Sequence, residues 1–229
     1  VKERPMIFNA EMVRAILDGR KTQTRRIMKP QPTPCTLQKG GHWWPSNVFK
    51  TMLHIEEELQ NGKGGWGGLV GDACPFGDVG DRIWVREAWA RYNIDQDSHD
   101  MAYRATPPED WPKEGRWRPS IHMPRWVSRI TLEITGVRVE RLNNISHEDA
   151  EREGIHTEVW DQTVVAKNYA AEDEFFQFWS EGMPHYVEMN ELFRASFRSL
   201  WQSIYGAESW QANPWVWVIE FKRIEGGAA

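Results

Sequence analysis

The sequence predicts a mixed α+β chain organised around a small barrel-like sheet with flanking helices. Three observations carry this expectation. Strand-like stretches are separated by irregular segments and do not alternate regularly with helices, which argues against a doubly wound parallel sheet. Two amphipathic helical repeats begin and end on capping signals. Long Pro/Trp-rich excursions, at about 30–80, 93–126 and 156–190, interrupt the strands. The chain has 229 residues, 40% of them hydrophobic and 27% charged, a soluble globular composition long enough to bury a core, read as one domain over 1–229.

After the apolar start PMIFN, residues Met12, Val13, Ile16 and Leu17 recur at helical spacing, with Asn9 as N-cap and Gly19 as the stop. The run RKTQTRRIMKP alternates like a strand and ends at Pro30, which has no N–H for a ladder. A helix is expected around Val48 to Leu59, and the Gly-rich NGKGGWGGLVGD reads as flexible; it contains no GxxxxGK[ST] phosphate loop. VGDRIWVREAWA reads as a strand with Ile83, Val85 and Glu87 on one face and Trp84, Arg86 and Ala88 on the other. In SRITLEITGVRVERL, Ile130, Leu132 and Ile134 alternate with polar partners, and Gly136 suggests a break. ISHEDAEREGI carries a capping box, Ser146 with Asp149, and a terminating Gly154. An aromatic helix is expected at DEFFQFW, and a longer one in NELFRASFRSLWQSIYG with Phe193, Phe197, Leu200, Trp201 and Ile204 on one side. NPWVWVIEFKRI closes the chain as a strand.

Composition excludes some classes. A formal net charge of -5 does not suit a protein that coats nucleic acid nonspecifically, although a local basic cleft would still attract phosphates. No secretory leader pattern and no apolar run of membrane-spanning length is evident, so a cytoplasmic location without membrane contact is expected. Cys35 and Cys74 read as ordinary thiols; no CxxC or HxxxH spacing supports a metal, even with His42 near Cys35. The 14 tryptophans exceed ordinary usage, and most are expected to pack loops against the core while a few serve recognition.

The stretch LDGRKTQTRR is where chemistry concentrates. Lys21 and Thr24 stand three residues apart at a helix-to-strand junction. A threonine hydroxyl is a poor nucleophile until a base takes its proton, and a desolvated lysine of lowered pKa serves as such a base. Against this stands a plain solvated edge with Arg20, Arg25 and Arg26 as a basic face, because motifs this short arise by chance. Glu153 breaks a local rule: a carboxylate at a helix C-terminus opposes the macrodipole, which points weakly to function.

GRKTQTRR after a short helix, followed by GDRIWVRE, ISHEDAEREGI and VWVIEF, resembles the ASCH family, which has a PUA-like β-barrel and a GxKxxExR signature. Gly19, Lys21 and Arg26 match; Thr24 stands where many members have glutamate. That departure is similar to the N4-acetylcytidine amidohydrolases of the family, and the resemblance implies Lys21, Thr24 and Glu153 as catalytic residues, no cofactor and no metal. WRPSIHMPRW and NPWVW look closer still to long members encoded by phages and prophages, which implies a host cytoplasm. The likeness covers about half the chain, the Pro/Trp-rich insertions lying outside the minimal fold.

Under this reading Lys21 activates Thr24 to attack an N4-acyl group on a cytosine base, in a nucleoside or in RNA, and Glu153 shuttles the proton. Arg26 and Arg86 orient the base or stabilise the oxyanion, one or more of Trp84, Trp117 and Trp126 stack on the base, and Arg125 joins the substrate contacts. The alternatives are an RNA or modified-nucleic-acid binding module using the same basic cleft, a metal-independent ribonuclease, and a phage interaction protein. No obligate protein partner is implied. Glu87 is expected to be buried and paired with Arg82, Arg86 or Arg129, and His122 and His147 to be structural.

Overall fold

The computed structural model describes residues 1–36, 40–60, 69–92, 100–179, 182 and 185–224. Part of the Gly-rich run, 61–68, lies outside the described residues. Five strands form the main sheet: β1 (Glu3–Ile7), β2 (Gln23–Ile27), β3 (Arg82–Arg86), β4 (Thr131–Arg141) and β5 (Trp215–Ile224). Their order is β1-β3-β4-β5-β2, with β1 parallel to β3 and the other pairs antiparallel. Three helices complete the frame: α1 (Ala10–Leu17), α2 (His147–Arg152) and α3 (Leu192–Tyr205). The architecture is mixed α+β.

The sheet does not close into the expected barrel. Among the described residues no backbone pairing joins β1 to β2, and the approach of the two edges is bridged by a side chain, Arg26 donating to the Ile7 carbonyl at 2.7 Å. β1 contains Pro5, which lacks an N–H to offer a neighbouring strand.

Local signals account for the frame. Asn9 caps α1 by accepting from the Met12 amide at 2.8 Å, and Ser146 caps α2 by accepting from the Asp149 amide at 3.1 Å. α1 ends on Gly19, α2 on Gly154 and α3 on Gly206, all with positive φ. β4 continues through Gly136 as one strand, but its register on β5 shifts there: Glu220 pairs with Gly136 and Phe221 with Ile134, so Thr135 is the extra residue on β4. A Cβ at position 136 would lie 2.9 Å from Glu220 Oε2, so the glycine admits a carboxylate across the ladder without breaking the strand. β5 is buried on both faces from Trp215 to Ile219, as expected of an interior strand covered on both sides.

The excursions hold more order than their composition suggests. Residues expected as a helix from Val48 to Leu59 form a strand, Thr51–His54, and one helical turn, Ile55–Glu58; the strand pairs with His42–Ser46, which pairs in turn with Thr33–Pro34. Trp44 meets Trp217 edge to face at 5.4 Å and ties this small sheet to β5. DEFFQFW is likewise not helical. Phe175–Phe176 pairs with Thr163–Lys167, itself paired with Thr157–Trp160. Short aromatic runs fit helix or strand equally by periodicity, and cross-strand pairing decided both cases. Around the second excursion, Trp89–Arg91 pairs with Met101–Tyr103, and Trp89 packs with Met123 and Val127 in a separate small cluster.

The main cluster gathers α1, α3 and the main sheet. Trp44, Trp89, Trp201, Trp215 and Trp217 are buried, in keeping with a packing role. Both cysteines are free, and burial pushes the Cys74 thiol up to about 12. His42, considered beside Cys35, instead sits 2.7 Å from Glu56. Among the described residues no helix is long and apolar enough to cross a membrane, and no group of three or more His, Cys, Asp or Glu is arranged to hold a metal ion.

Candidate active site at the helix-to-strand junction

Backbone contacts bring the junction and the end of α2 together. The Lys21 amide donates to Ala15 O at 2.9 Å, the Thr22 amide donates to Arg152 O at 2.9 Å, and Lys21 and Glu153 form an antiparallel bridge. Gly154 makes this approach possible. Its φ is +82°, and a Cβ there would fall 2.6 Å from the Lys21 Cβ and 2.9 Å from the Ala15 Cβ.

Glu153, the α2 C-cap, is held by two cations. Lys21 Nζ donates to its Oε2 at 2.8 Å and to its backbone carbonyl at 2.7 Å, while Arg25 donates to its Oε1 at 2.9 Å. The side chains of Lys21 and Glu153 are 2% and 4% exposed, so little water screens the pair. The carboxylate that opposes the α2 dipole is thereby compensated. Arg25 also donates to Glu140 at 3.1 Å and to Asp149 at 3.0 Å, and Arg138 links Glu140, Asp149 and Glu220 beyond it. Three buried or half-buried elements, β2, β4 and α2, are thus locked around Glu153 by charge-assisted bonds.

Burial holds the Lys21 ammonium below the ordinary lysine range, against the opposing attraction of Glu153; Arg26 and Arg25 push the same way as burial. A neutral amine has two N–H bonds and one lone pair. In either protonation state of Lys21, two of its N–H bonds go to Glu153. Thr24, on β2, is 4% exposed, and among the described residues its hydroxyl has no hydrogen-bond partner.

Lys21, Thr24, Arg25, Arg26 and Glu153 line one cavity of about 210 Å³. Its apolar wall comes from Phe8 and Met12 on one side of the sequence and from Phe197, Leu200, Trp201, Ile204 and Tyr205 of α3. The volume is below the ~300–1,000 Å³ usual for drug-sized ligands. Two buried N–H groups on lining residues, Arg26 Nε and Trp201 Nε1, have no acceptor among the described residues.

The arginines of the basic stretch are not a free cationic face. Arg20 donates to the carbonyls of Gly154 and Ile155 and to Asp18, Arg25 is buried among carboxylates, and Arg26 binds Ile7 O while lying 5.0 Å from the Phe8 ring.

Lys21, Thr24, Glu153 and Arg26, expected as site residues, share the cavity; the other expected substrate contacts do not line it. Trp84 has Arg86 and Arg125 over its ring at 5.5 and 6.0 Å. Arg86 is committed to the carbonyls of Ser120 and Ile121, and Arg125 to Glu3 at 2.9 Å. Trp117 stacks on Trp111 at 4.0 Å in a different depression, and Trp126 is 67% exposed. Glu87 is buried and gripped by Arg129 at 2.9 and 3.1 Å, burial raising its carboxyl against that pairing. His147 stacks on Phe193 at 4.1 Å, and His122 is exposed.

Sequence reasoning missed the aromatic wall. Phe197, Leu200, Trp201 and Ile204 were legible as one side of a helix but read as core, and Tyr205 and Phe8 carried no signal of their own. Arg25 as the holder of Glu153 was visible only as part of a basic run.

No family model, no curated protein and no solved structure matches the chain.

Proposed function

We propose that this chain is a PUA-like, ASCH-type hydrolase that removes an acyl group from an N4-acetylcytosine-type base, in a nucleoside or exposed in RNA. The observation that supports it most is the sharing of one small cavity by the buried Lys21–Glu153 pair and the unpartnered Thr24 hydroxyl. Neutral Lys21 accepts the Thr24 proton, and the Thr24 oxygen adds to the acyl carbon. The oxyanion accepts from the Arg26 guanidinium, a lining residue of the cavity. Collapse breaks the bond to N4, and the proton on Lys21 passes to the departing amine with Glu153 holding the ammonium. Water then cleaves the threonine ester, releasing the carboxylic acid and restoring the hydroxyl. The aromatic wall of Phe197, Trp201 and Tyr205 packs against the base.

The test is chromatography of N4-acetylcytidine incubated with purified protein, scoring cytidine and acetate. Thr24→Val keeps the shape and removes the nucleophile. It is expected to hold stability within about 0.5 kcal/mol and to lower turnover on the order of 10³-fold or more. Intact substrate with the wild-type protein, or full turnover by Thr24→Val, would sink the reading. Binding of an oligonucleotide in this cavity without product would favour the binding module instead.

A further inference from the structure

The second excursion builds a second depression, distinct from the cavity of Lys21 and Thr24, with a volume of about 620 Å³. Its aromatic side is a ladder. Tyr92 lies 6.0 Å from Trp111, and Trp111 stacks on Trp117 at 4.0 Å with the rings 17° from parallel. The ladder ends at Trp117, which has no further ring partner among the described residues. Gly115 lets the stack form, since a Cβ there would fall 2.5 Å from the Trp111 ring.

Three arginines, Arg91, Arg116 and Arg118, line the same depression, and no carboxylate does. All three are exposed. Among the described residues none has a carboxylate partner; the Arg118 guanidinium lies 5.1 Å from the Trp89 ring. Asp110 accepts the Tyr92 hydroxyl at the end of the ladder away from Trp117. On a chain of net charge -5, three arginines with no carboxylate partner among the described residues, beside an open aromatic face, form a local positive site.

We propose that this depression binds a nucleotide unit, its base stacked on Trp117 and its phosphate held by Arg91, Arg116 and Arg118. Stacking is indifferent to base identity because every base has a π-face, and exposed guanidinium groups bind phosphate oxygens in pairs. The site would serve a single-stranded segment or a free nucleotide alike, and it stands whether or not the first cavity is a hydrolase.

Fluorescence anisotropy with a labelled ten-nucleotide single strand tests it, with unlabelled cytidine monophosphate, duplex and inorganic polyphosphate as competitors. Trp117→Ala is expected to weaken binding about tenfold, with Trp117→Phe restoring most of it. Arg116→Gln, a change at an exposed residue, is expected to lower the slope of log affinity against log salt by about one. Thr24→Val is expected to leave affinity unchanged. Displacement by the monophosphate identifies a free-nucleotide site, and its failure beside tight strand binding identifies a polymer site; both support the proposal. No binding of strand or monophosphate at low salt overturns it. So do equal affinity of Trp117→Ala and wild type, displacement by polyphosphate or duplex as effective as by the strand, or loss of binding in Thr24→Val.

Discussion

Replacing Glu153 by glutamine tests the charge network most directly. The carboxylate accepts from Lys21 on one oxygen and from Arg25 on the other. An amide keeps one acceptor oxygen and turns an NH2 toward whichever cation loses its partner, so donor meets donor in a site where Lys21 is 2% exposed and Arg25 fully buried. Removing one partner of a buried pair costs about 3–5 kcal/mol because the remaining charge is left without compensation. For a chain of this length that corresponds to a fall of roughly 6–20 °C in Tm. The penalty should also depend on pH with a defined sign. Lys21 titrates below its ordinary value of 10.5 in the folded chain, so between its folded pKa and 10.5 the unfolded chain binds more protons and stability rises with pH. Glu153 is the main group opposing that depression, and its loss lowers the folded pKa further. The variant therefore gains stability from a lower pH than the wild type does, and the difference between them shrinks as pH climbs toward 10.5. Urea denaturation followed by circular dichroism at neutral pH and across the alkaline range measures both quantities. A glutamine variant within about 0.5 kcal/mol of wild type, or a penalty that grows with pH, would refute the account.

Gly154→Ala and Gly19→Ala separate conformation from close approach. Both glycines have positive φ, +82° and +78°, but only at Gly154 does a Cβ collide, with Lys21 and Ala15. Gly19→Ala should cost about 1–2 kcal/mol in thermal denaturation and Gly154→Ala clearly more; equal losses would show that the approach is slack. In a pH profile of the proposed acyl hydrolysis, the rate should rise with pH through an apparent pKa below 10.5, as burial of Lys21 requires. An ascending limb at or above that value would remove Lys21 as the base. Iodoacetamide on the native protein, read by mass spectrometry, should label Cys35 well before Cys74, whose buried thiol is raised to about 12; preferential labelling of Cys74 would contradict that burial.

What was legible in the sequence was whatever depends on neighbours a few residues away. Asn9 and Ser146 cap helices through amides three positions on, and Gly19 and Gly154 stop them by their backbone freedom. Alternation marked Ile83, Val85 and Glu87 as one buried face. The failures share one cause. Thr51–His54 and Phe175–Phe176 became strands because an adjacent strand supplied partners, and Gly136 marks a one-residue register shift inside β4 and not its end because β5 pairs on both sides of it. The open edge between β1 and β2 depended on pairing between strands distant in the chain.

The candidate site divides in the same way. The sequence by itself determined the chemical types at Lys21, Thr24 and Glu153 and the oddity of an acid at a helix end. Tertiary structure decided that Glu153, 132 positions from Lys21, lies within 2.8 Å of it, that Arg25 grips the same carboxylate, and that α3 walls the cavity. It also turned Trp84, Arg86, Trp117, Arg125 and Trp126 elsewhere. Residue type and local spacing set which groups can react or cap. Which of them meet depends on sheet order and helix docking, which are set by burial of apolar surface summed over the whole chain.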